Sequence, residues 1–444
     1  MDLEKTELLE KIRQQFDSAP FPKTPVEVSP KADANGLFIH NLVTPYYLRT
    51  QQVINPQDMT VLDLGCGSGY KTLILAEANP GATIVGVDLS EKSVELARQR
   101  LQFHGFKDAQ FHALSLDQIS ELGLMFDYIN CDEVLYLMPD LVQALQTLKS
   151  VLKPTGILRG NLHSLYQRQD YFRAQQLFTA MGLMQRNPEE TEISIVLDTM
   201  RAIVDDAPLK QQTWNAKQAV ERPEEYVLMN YLFQGDQGYT IPELFEALAA
   251  AELEFICMVN QRNWDLMALF SKTQPLPPFW QAGLPRLNMA ERLQLFELIA
   301  PIHRLLDFWC GHQNQTPLWQ LPESWSPQTW EAVQVTLHPQ LQTETVKAAL
   351  IEAIRQQQLF FLSDYLSAGL PAKTRASLSP HLAACLLPLW EGPQPFLALV
   401  QRSLTIRAYD PVTLAPSEPE QASQELRGAL LSLEASLYVM LTLR

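Results

Sequence analysis

The chain has 444 residues, 46% hydrophobic and 19% charged, with a formal net charge of −16. That length exceeds one ordinary core and requires two or three domains, and the acidic balance argues against a broad phosphate-binding face, so nucleic acid is disfavoured as a partner. No apolar run is long enough to cross a bilayer, Met1-Asp2-Leu3-Glu4-Lys5 lacks the basic and apolar regions of a signal peptide, and Cys66, Cys131, Cys257, Cys310 and Cys385 show no paired spacing; a cytoplasmic protein with no membrane span, disulfide framework or metal site is expected.

Taken in chain order, residues 4 to 16 are expected to form a helix, with Leu8, Leu9, Ile12 and Phe16 on one face. Ser18-Ala19-Pro20-Phe21-Pro22-Lys23-Thr24-Pro25 must then be extended, because proline disfavours helix both at its own position and at the one before. A helix over Phe38 to Arg49 follows, its aromatics expected to pack on a sheet or shield a ligand. Val61-Leu62-Asp63-Leu64 is an apolar strand, and it runs into Gly65-Cys66-Gly67-Ser68-Gly69. Three glycines at alternate positions allow positive φ and close approach to the main chain, so a side chain at Gly65 or Gly67 is expected to stand in a ligand's place. Tyr70 to Ala78 has helical spacing and is stopped by Asn79-Pro80-Gly81. A second strand, Thr83 to Val87, ends on Asp88, where a carboxylate can accept from both hydroxyls of an adenosine ribose.

A dinucleotide site asks for G-x-G-x-x-G with a pyrophosphate at the helix amino terminus. Here Tyr70 follows Gly69, and Asp63 lies inside the first strand, where it would repel a pyrophosphate but could hold an ammonium. The pattern D-x-G-x-G-x-G with an acid ending the second strand resembles the class I S-adenosylmethionine (SAM) methyltransferases. Phe126-Asp127-Tyr128-Ile129-Asn130-Cys131-Asp132-Glu133 and the later Leu152-Lys153-Pro154-Thr155-Gly156 match the second half of that fold, and the Ala19-Pro20-Phe21-Pro22 lead-in resembles an element of some bacterial members.

The resemblance implies a Rossmann-like α/β sheet, SAM as cofactor, and cofactor contacts from Asp63, Gly65, Cys66, Gly67, Ser68, Gly69, Asp88, Leu89, Ser115, Leu116 and Asn130. Related enzymes often place an aspartate after the third strand, here Ala109 to Leu114, to meet the adenine amino group. This chain has Leu114-Ser115-Leu116-Asp117, which leaves Ser115 or Asp117 for that contact. Glu133, Tyr136 and His163 are the candidate catalytic residues, with Asp132 beside them, because they fall at the carboxyl ends of the fourth and fifth strands.

The expected domains are an N-terminal helical lead-in over 1–55, a SAM-binding domain over 56–272 with an insertion at 166–236, and a mainly helical accessory domain over 279–444 after the proline-rich linker. The insertion should open helices at Glu189-Glu190 and Pro223. Helical spacing is also read near Leu295 to Trp309 and at Thr343 to Tyr365. Leu386-Leu387-Pro388-Leu389-Trp390-Glu391-Gly392 resembles the ends of bacterial methyltransferases with a regulatory region, some of which modify lysines in proteins. A SAM-dependent methyltransferase acting on an unidentified acceptor, with a protein side chain as the candidate, is the reading; a SAM-binding regulatory protein without transferase activity and a small-molecule or RNA methyltransferase are the alternatives.

Overall fold

The computed structural model describes the chain except residues 1–2, 19–20, 318–319, 367–375, 411 and 444, and describes residues 3–6, 8, 9 and 18 by their backbone alone. The expectations on the side chains of Leu8 and Leu9 and on Ala19-Pro20 lie outside the described residues. The chain divides into two compact units, Met1–Val28 with Met59–Leu73 and Thr83–Gln313, and Ser29–Asp58 with Ile74–Ala82 and Asn314–Arg444.

The first unit is built on one mixed sheet. Its strands are β1 (Thr60–Leu64), β2 (Thr83–Asp88), β3 (Gln110–Ala113), β4 (Phe126–Cys131), β5 (Leu152–Ser164), β6 (Gly238–Tyr239), β7 (Leu253–Met258) and β8 (Leu305–His312). Their order is β3-β2-β1-β4-β5-β8-β7, with β6 on β5. The pairs from β3 to β5 are parallel, whereas β8 runs antiparallel to both β5 and β7. Chain order reverses between β1 and β4, and a ligand crevice is expected outside the carboxyl ends of the strands at such a point. The central strands are near-continuous apolar runs because both faces are covered: Val61, Leu62, Val85, Val87, Ile129, Ile157 and Leu158 are buried.

Local signals place the helices. Ser90 caps Glu91–Phe103 through its side chain to the Ser93 N–H at 3.1 Å. Thr240 and Glu243 form a reciprocal capping box at the start of Ile241–Ala250. The insertion is helical, over Leu165–Ala180, Glu190–Ala202, Pro208–Thr213, Gln218–Glu221 and Pro223–Leu228, and it has its own core around Phe178, Met200 and Tyr231.

The stretch from Leu295 to Trp309 departs from the helical expectation. Its helix, Met289–Ile299, ends before Pro301, and Leu305–His312 becomes the antiparallel strand β8. Proline cannot continue the helix, and Phe308 and Cys310 are buried against the neighbouring strands.

The second unit pairs β9 (Val333–Leu337) antiparallel with both β12 (Gln394–Pro395) and β13 (Val439–Leu443), and β10 (Phe360–Phe361) with β11 (Ser377–Leu378). Helices Glu344–Arg355, Pro380–Leu386, Phe396–Ile406 and Pro419–Glu434 cover this framework. The helix expected to reach Tyr365 stops at Arg355: Gln357 takes φ 55°, and Phe360 then pairs with Leu378.

Phe38 and Tyr47, expected on the sheet or over a cofactor, belong instead to this unit. Phe38 is buried in its core 5.3 Å from the His338 ring, and the Tyr47 hydroxyl donates to Glu434 at 2.9 Å and accepts from the Leu441 N–H at 3.0 Å. His338 is fully buried; its Nδ1 accepts from the Gln340 N–H, so its Nε2 carries the proton that it donates to Thr44 at 3.1 Å.

Candidate active site

The glycine turn leaves β1 at the reversal of strand order. Gly65, Gly67 and Gly69 have φ of 73°, 50° and 82°, a region that favours glycine. The space beside them is not where the sequence suggested. A Cβ on Gly65 would lie 2.2 Å from Val134 and one on Gly67 2.3 Å from the Phe21 carbonyl oxygen, so the chain's own segments, not a ligand, occupy the glycine faces. Gly69 instead lets two helices meet, since its Cβ would come within 2.6 Å of the Ala97 backbone.

The lead-in is tied down on this turn. Ser68 donates its N–H to the Phe21 carbonyl at 2.9 Å and its hydroxyl to the Pro22 carbonyl at 2.7 Å. Buried Arg100 donates to the Ser68, Pro25 and Thr24 carbonyls at 2.9, 2.7 and 2.6 Å. A buried guanidinium needs such partners, and here they are backbone carbonyls that lock turn and lead-in together.

Beside the turn lies a cleft of ≈ 1510 Å³, part of it open to solvent, mostly apolar and crossed by a few charged side chains. It gathers Asp63, Gly65, Cys66, Gly67, Asp88, Leu89, Ser115, Leu116 and Glu133 from the sequence-derived set, and also Asp117. Ser68 and Gly69 hold the turn from behind. Asn130, Tyr136 and His163 are buried and do not line the cleft.

Asp88 ends β2 with one carboxylate oxygen accepting from the Gly67 N–H and the other from the Ser90 N–H, each at 2.9 Å. Burial raises its pKa against the pull of these two bonds. Cys66 is inert by the same cause: burial pushes its thiol well above the ordinary range. Asp63 is 2% exposed and accepts from Thr72 Oγ1 at 2.5 Å and Asn130 Nδ2 at 2.8 Å. Asn130 Oδ1 in turn accepts from Arg159, which also grips Asp307 with two bonds at 3.0 and 2.8 Å.

The three candidate catalytic residues meet, though only one reaches the cleft. Glu133 adopts φ 64°, uncommon outside glycine, with its N–H donated to Asn161 Oδ1 at 2.8 Å. Its carboxylate accepts from the Tyr136 hydroxyl at 2.8 Å and from the Arg304 guanidinium. Burial alone would raise the Glu133 carboxyl, but the Arg304 guanidinium holds it well below the usual carboxylate range.

His163 lies behind, 1% exposed, its ring stacked on Tyr136 at 3.7 Å. Arg304 donates to its Nε2 at 2.9 Å, which leaves Nδ1 to donate to Asp236 at 2.5 Å. Asp236 also accepts from Arg168 and Gln175, both at 2.9 Å.

Sequence reasoning missed Arg304, Asp236 and Lys71. The first two come from the segment before β8 and from the end of the insertion, far from any recognisable pattern. Lys71 stands in the first turn after the glycines and could have been found there. Among the described residues no group of three His, Cys, Asp or Glu side chains is placed to hold a metal.

The cleft fits an adenosine cofactor: an acid ends β2, apolar walls come from Leu89, Leu114 and Leu116, and the reversal of strand order sets the position. Fold and site together are similar to those of the class I S-adenosylmethionine-dependent methyltransferases.

Residues 55–193 match the family model described as a methyltransferase domain. An uncharacterised protein of Synechococcus sp. is 26% identical over 67% of this chain and 70% of its own length. The ubiquinone biosynthesis O-methyltransferase of Actinobacillus pleuropneumoniae is 33% identical over 102 residues, 22% of this chain and 43% of that enzyme. The solved structure of PKMT2 from Rickettsia typhi shares the fold with a TM-score of 0.58 and 18% identity, covering 91% of this chain and 75% of that one.

Proposed function

We propose that this chain is a cytoplasmic enzyme that moves the methyl group of SAM to a protein side chain. The observation that carries the cofactor's placement is Asp88, fixed by the Gly67 and Ser90 N–H groups at the edge of the cleft. Support for a protein acceptor comes from the accessory unit. The likeness to PKMT2 extends over 91% of the chain, well beyond the sheet, and the Leu386–Gly392 phrase resembles regulatory regions of methyltransferases that modify lysines. No helix among the described residues is long and apolar enough to cross a membrane.

The cofactor supplies an electrophilic methyl on a sulfonium. The chain's task is then to align acceptor and methyl at about 3–3.5 Å and to keep water out. In this reading Asp88 accepts the ribose hydroxyls, Leu89 and Leu116 flank the adenine, and Ser115 or Asp117 meets its amino group. Met229 from the insertion and Phe16 and Phe21 from the lead-in enclose the cleft with apolar surface.

Glu133 is the candidate catalytic residue that reaches the cleft. A carboxylate held so far below its ordinary range is a weak base, so its role is to orient a polar acceptor by charge. Tyr136 and His163 act through it as positioning residues.

Incubation with methyl-labelled SAM and a cell lysate tests the acceptor class. Label retained in protein after nuclease treatment is expected. Label confined to small molecules or lost with RNA contradicts it.

A further inference from the structure

We propose that a second pocket, between the lead-in and the insertion, is where the acceptor protein enters, and that Glu224 and Glu225 at its mouth hold a lysine or arginine of the acceptor that flanks the methylated residue. This rests on the reading of a protein acceptor above and names the chemistry that selects it. The pocket has ≈ 320 Å³, part of it open to solvent, and it shares Phe16, Phe21 and Met229 with the cofactor cleft. Three apolar side chains are therefore a common wall between the two spaces. Leu228 adds to the apolar sides, and the charged groups are Lys23, Glu224 and Glu225.

Lys23 stands where such a cation would sit. Its Nζ is 2.5 Å from Glu224 Oε2, and the two side chains are 47% and 45% exposed. The Lys23 backbone is pinned on both sides: Ser68 holds the Phe21 and Pro22 carbonyls before it, and Arg100 holds the Thr24 and Pro25 carbonyls after it. Its side chain is free to leave, because an ion pair this exposed contributes only about 0–1 kcal/mol. An incoming cation can therefore displace Lys23 from Glu224 at little cost while the lead-in stays seated on the glycine turn.

Charge selects a basic segment over other occupants. With Lys23 displaced, the mouth presents two carboxylates, and the cation beside Glu225, Arg222, stands 3.7 Å away, beyond hydrogen-bond distance. The chain as a whole carries −16, which draws basic partners and repels a second copy of itself. A neutral small acceptor gains nothing from carboxylates at the mouth, whereas a basic residue beside the methylated one is steered and oriented by them.

The test follows label from methyl-labelled SAM into lysate protein for Lys23→Met, for Glu224→Gln, and for Glu224→Gln combined with Glu225→Gln, with the affinity of each for S-adenosylhomocysteine measured by calorimetry. The two single changes break the same ion pair, so a merely structural latch moves them in one direction. Acceptor recognition moves them in opposite directions. Lys23→Met removes the competing cation and should lower the lysate-protein concentration for half-maximal labelling about threefold, whereas Glu224→Gln should raise it about threefold and the double change about tenfold. All three should bind S-adenosylhomocysteine within about twofold of the unaltered chain, a difference of under about 0.5 kcal/mol that also certifies the fold. Shifts in the same direction, no shift in either, or a matching loss of S-adenosylhomocysteine affinity overturns the proposal. If the unaltered chain binds S-adenosylhomocysteine but labels no protein, the protein-acceptor reading fails and this entrance falls with it; protein labelling that the variants leave untouched removes the entrance alone.

Discussion

Arg304 and Glu133 face each other as guanidinium and carboxylate, joined by two hydrogen bonds, although 170 residues separate them in sequence. The same guanidinium donates to His163 Nε2, so one side chain fixes both the charge of Glu133 and the tautomer of the histidine behind it.

Removal of that cation by Arg304→Met should release the Glu133 carboxyl toward the ordinary range. A lost charge-assisted bond costs about 1.5–3 kcal/mol, which corresponds to a drop of roughly 10- to 100-fold in methyl transfer. The sign in pH is fixed: a carboxyl held low stays ionised as acid is added, so the variant should lose activity at a higher pH than the unaltered chain. Rate profiles carried down through the ordinary glutamate range, about 4.3, check it, and superimposable acid limbs contradict it.

Asp88 carries the opposite shift. Burial raises its pKa, so protonation should begin to weaken SAM binding at a pH above that of an exposed aspartate, and affinity should fall as pH is lowered through that range. Dissociation constants across the acid range measure this, and Asp88→Asn should bind weakly with little pH dependence.

Gly67→Ala tests the seating of the lead-in. The added Cβ would meet the Phe21 carbonyl at 2.3 Å and must tolerate φ 50°. The left-handed conformation alone costs about 1–2 kcal/mol, and displacement of Phe21-Pro22 should open one wall of the cleft. Lower thermal stability together with weaker cofactor binding is expected; a change in neither contradicts this arrangement.

His338 governs acid stability of the second unit. Burial pushes its imidazole down to about 3, whereas an unfolded histidine titrates near its ordinary value of about 6.5. The unfolded state therefore binds the extra proton first. The stability contributed by the neutral ring is full above that value and is lost as pH falls toward about 3, at up to about 1.4 kcal/mol per pH unit. Urea unfolding at several pH values should show that slope, and His338→Gln should flatten it.

Much of the first unit was legible because its determinants are local. Val61 to Asp88 writes strand, turn, helix, strand and acid in sequence, and Ser90, Thr240 and Pro223 mark helix starts by capping chemistry or fixed φ. The strand at Leu305–His312 was hidden because its apolar residues also satisfy a helical period, and pairing with β5 and β7 decides between the two. Val439–Leu443 was likewise read into a helical segment, although its pairing partner β9 lies about a hundred residues earlier.

At the site, Asp88 and the glycines were readable from spacing. The faces those glycines present were not, because Val134 and Phe21 reach them from other parts of the chain. Arg304 and Asp236 gave no local signal, since their roles exist only once His163 has been brought between them.

The central claim is that SAM binds in the cleft with its ribose on Asp88. Calorimetric titration of SAM into the unaltered chain and into Asp88→Ala tests it most directly. Binding at micromolar level that is lost or weakened at least tenfold in the variant, each tenfold step being about 1.4 kcal/mol, is the predicted result. Unchanged affinity in Asp88→Ala, or no binding to either protein, would contradict it.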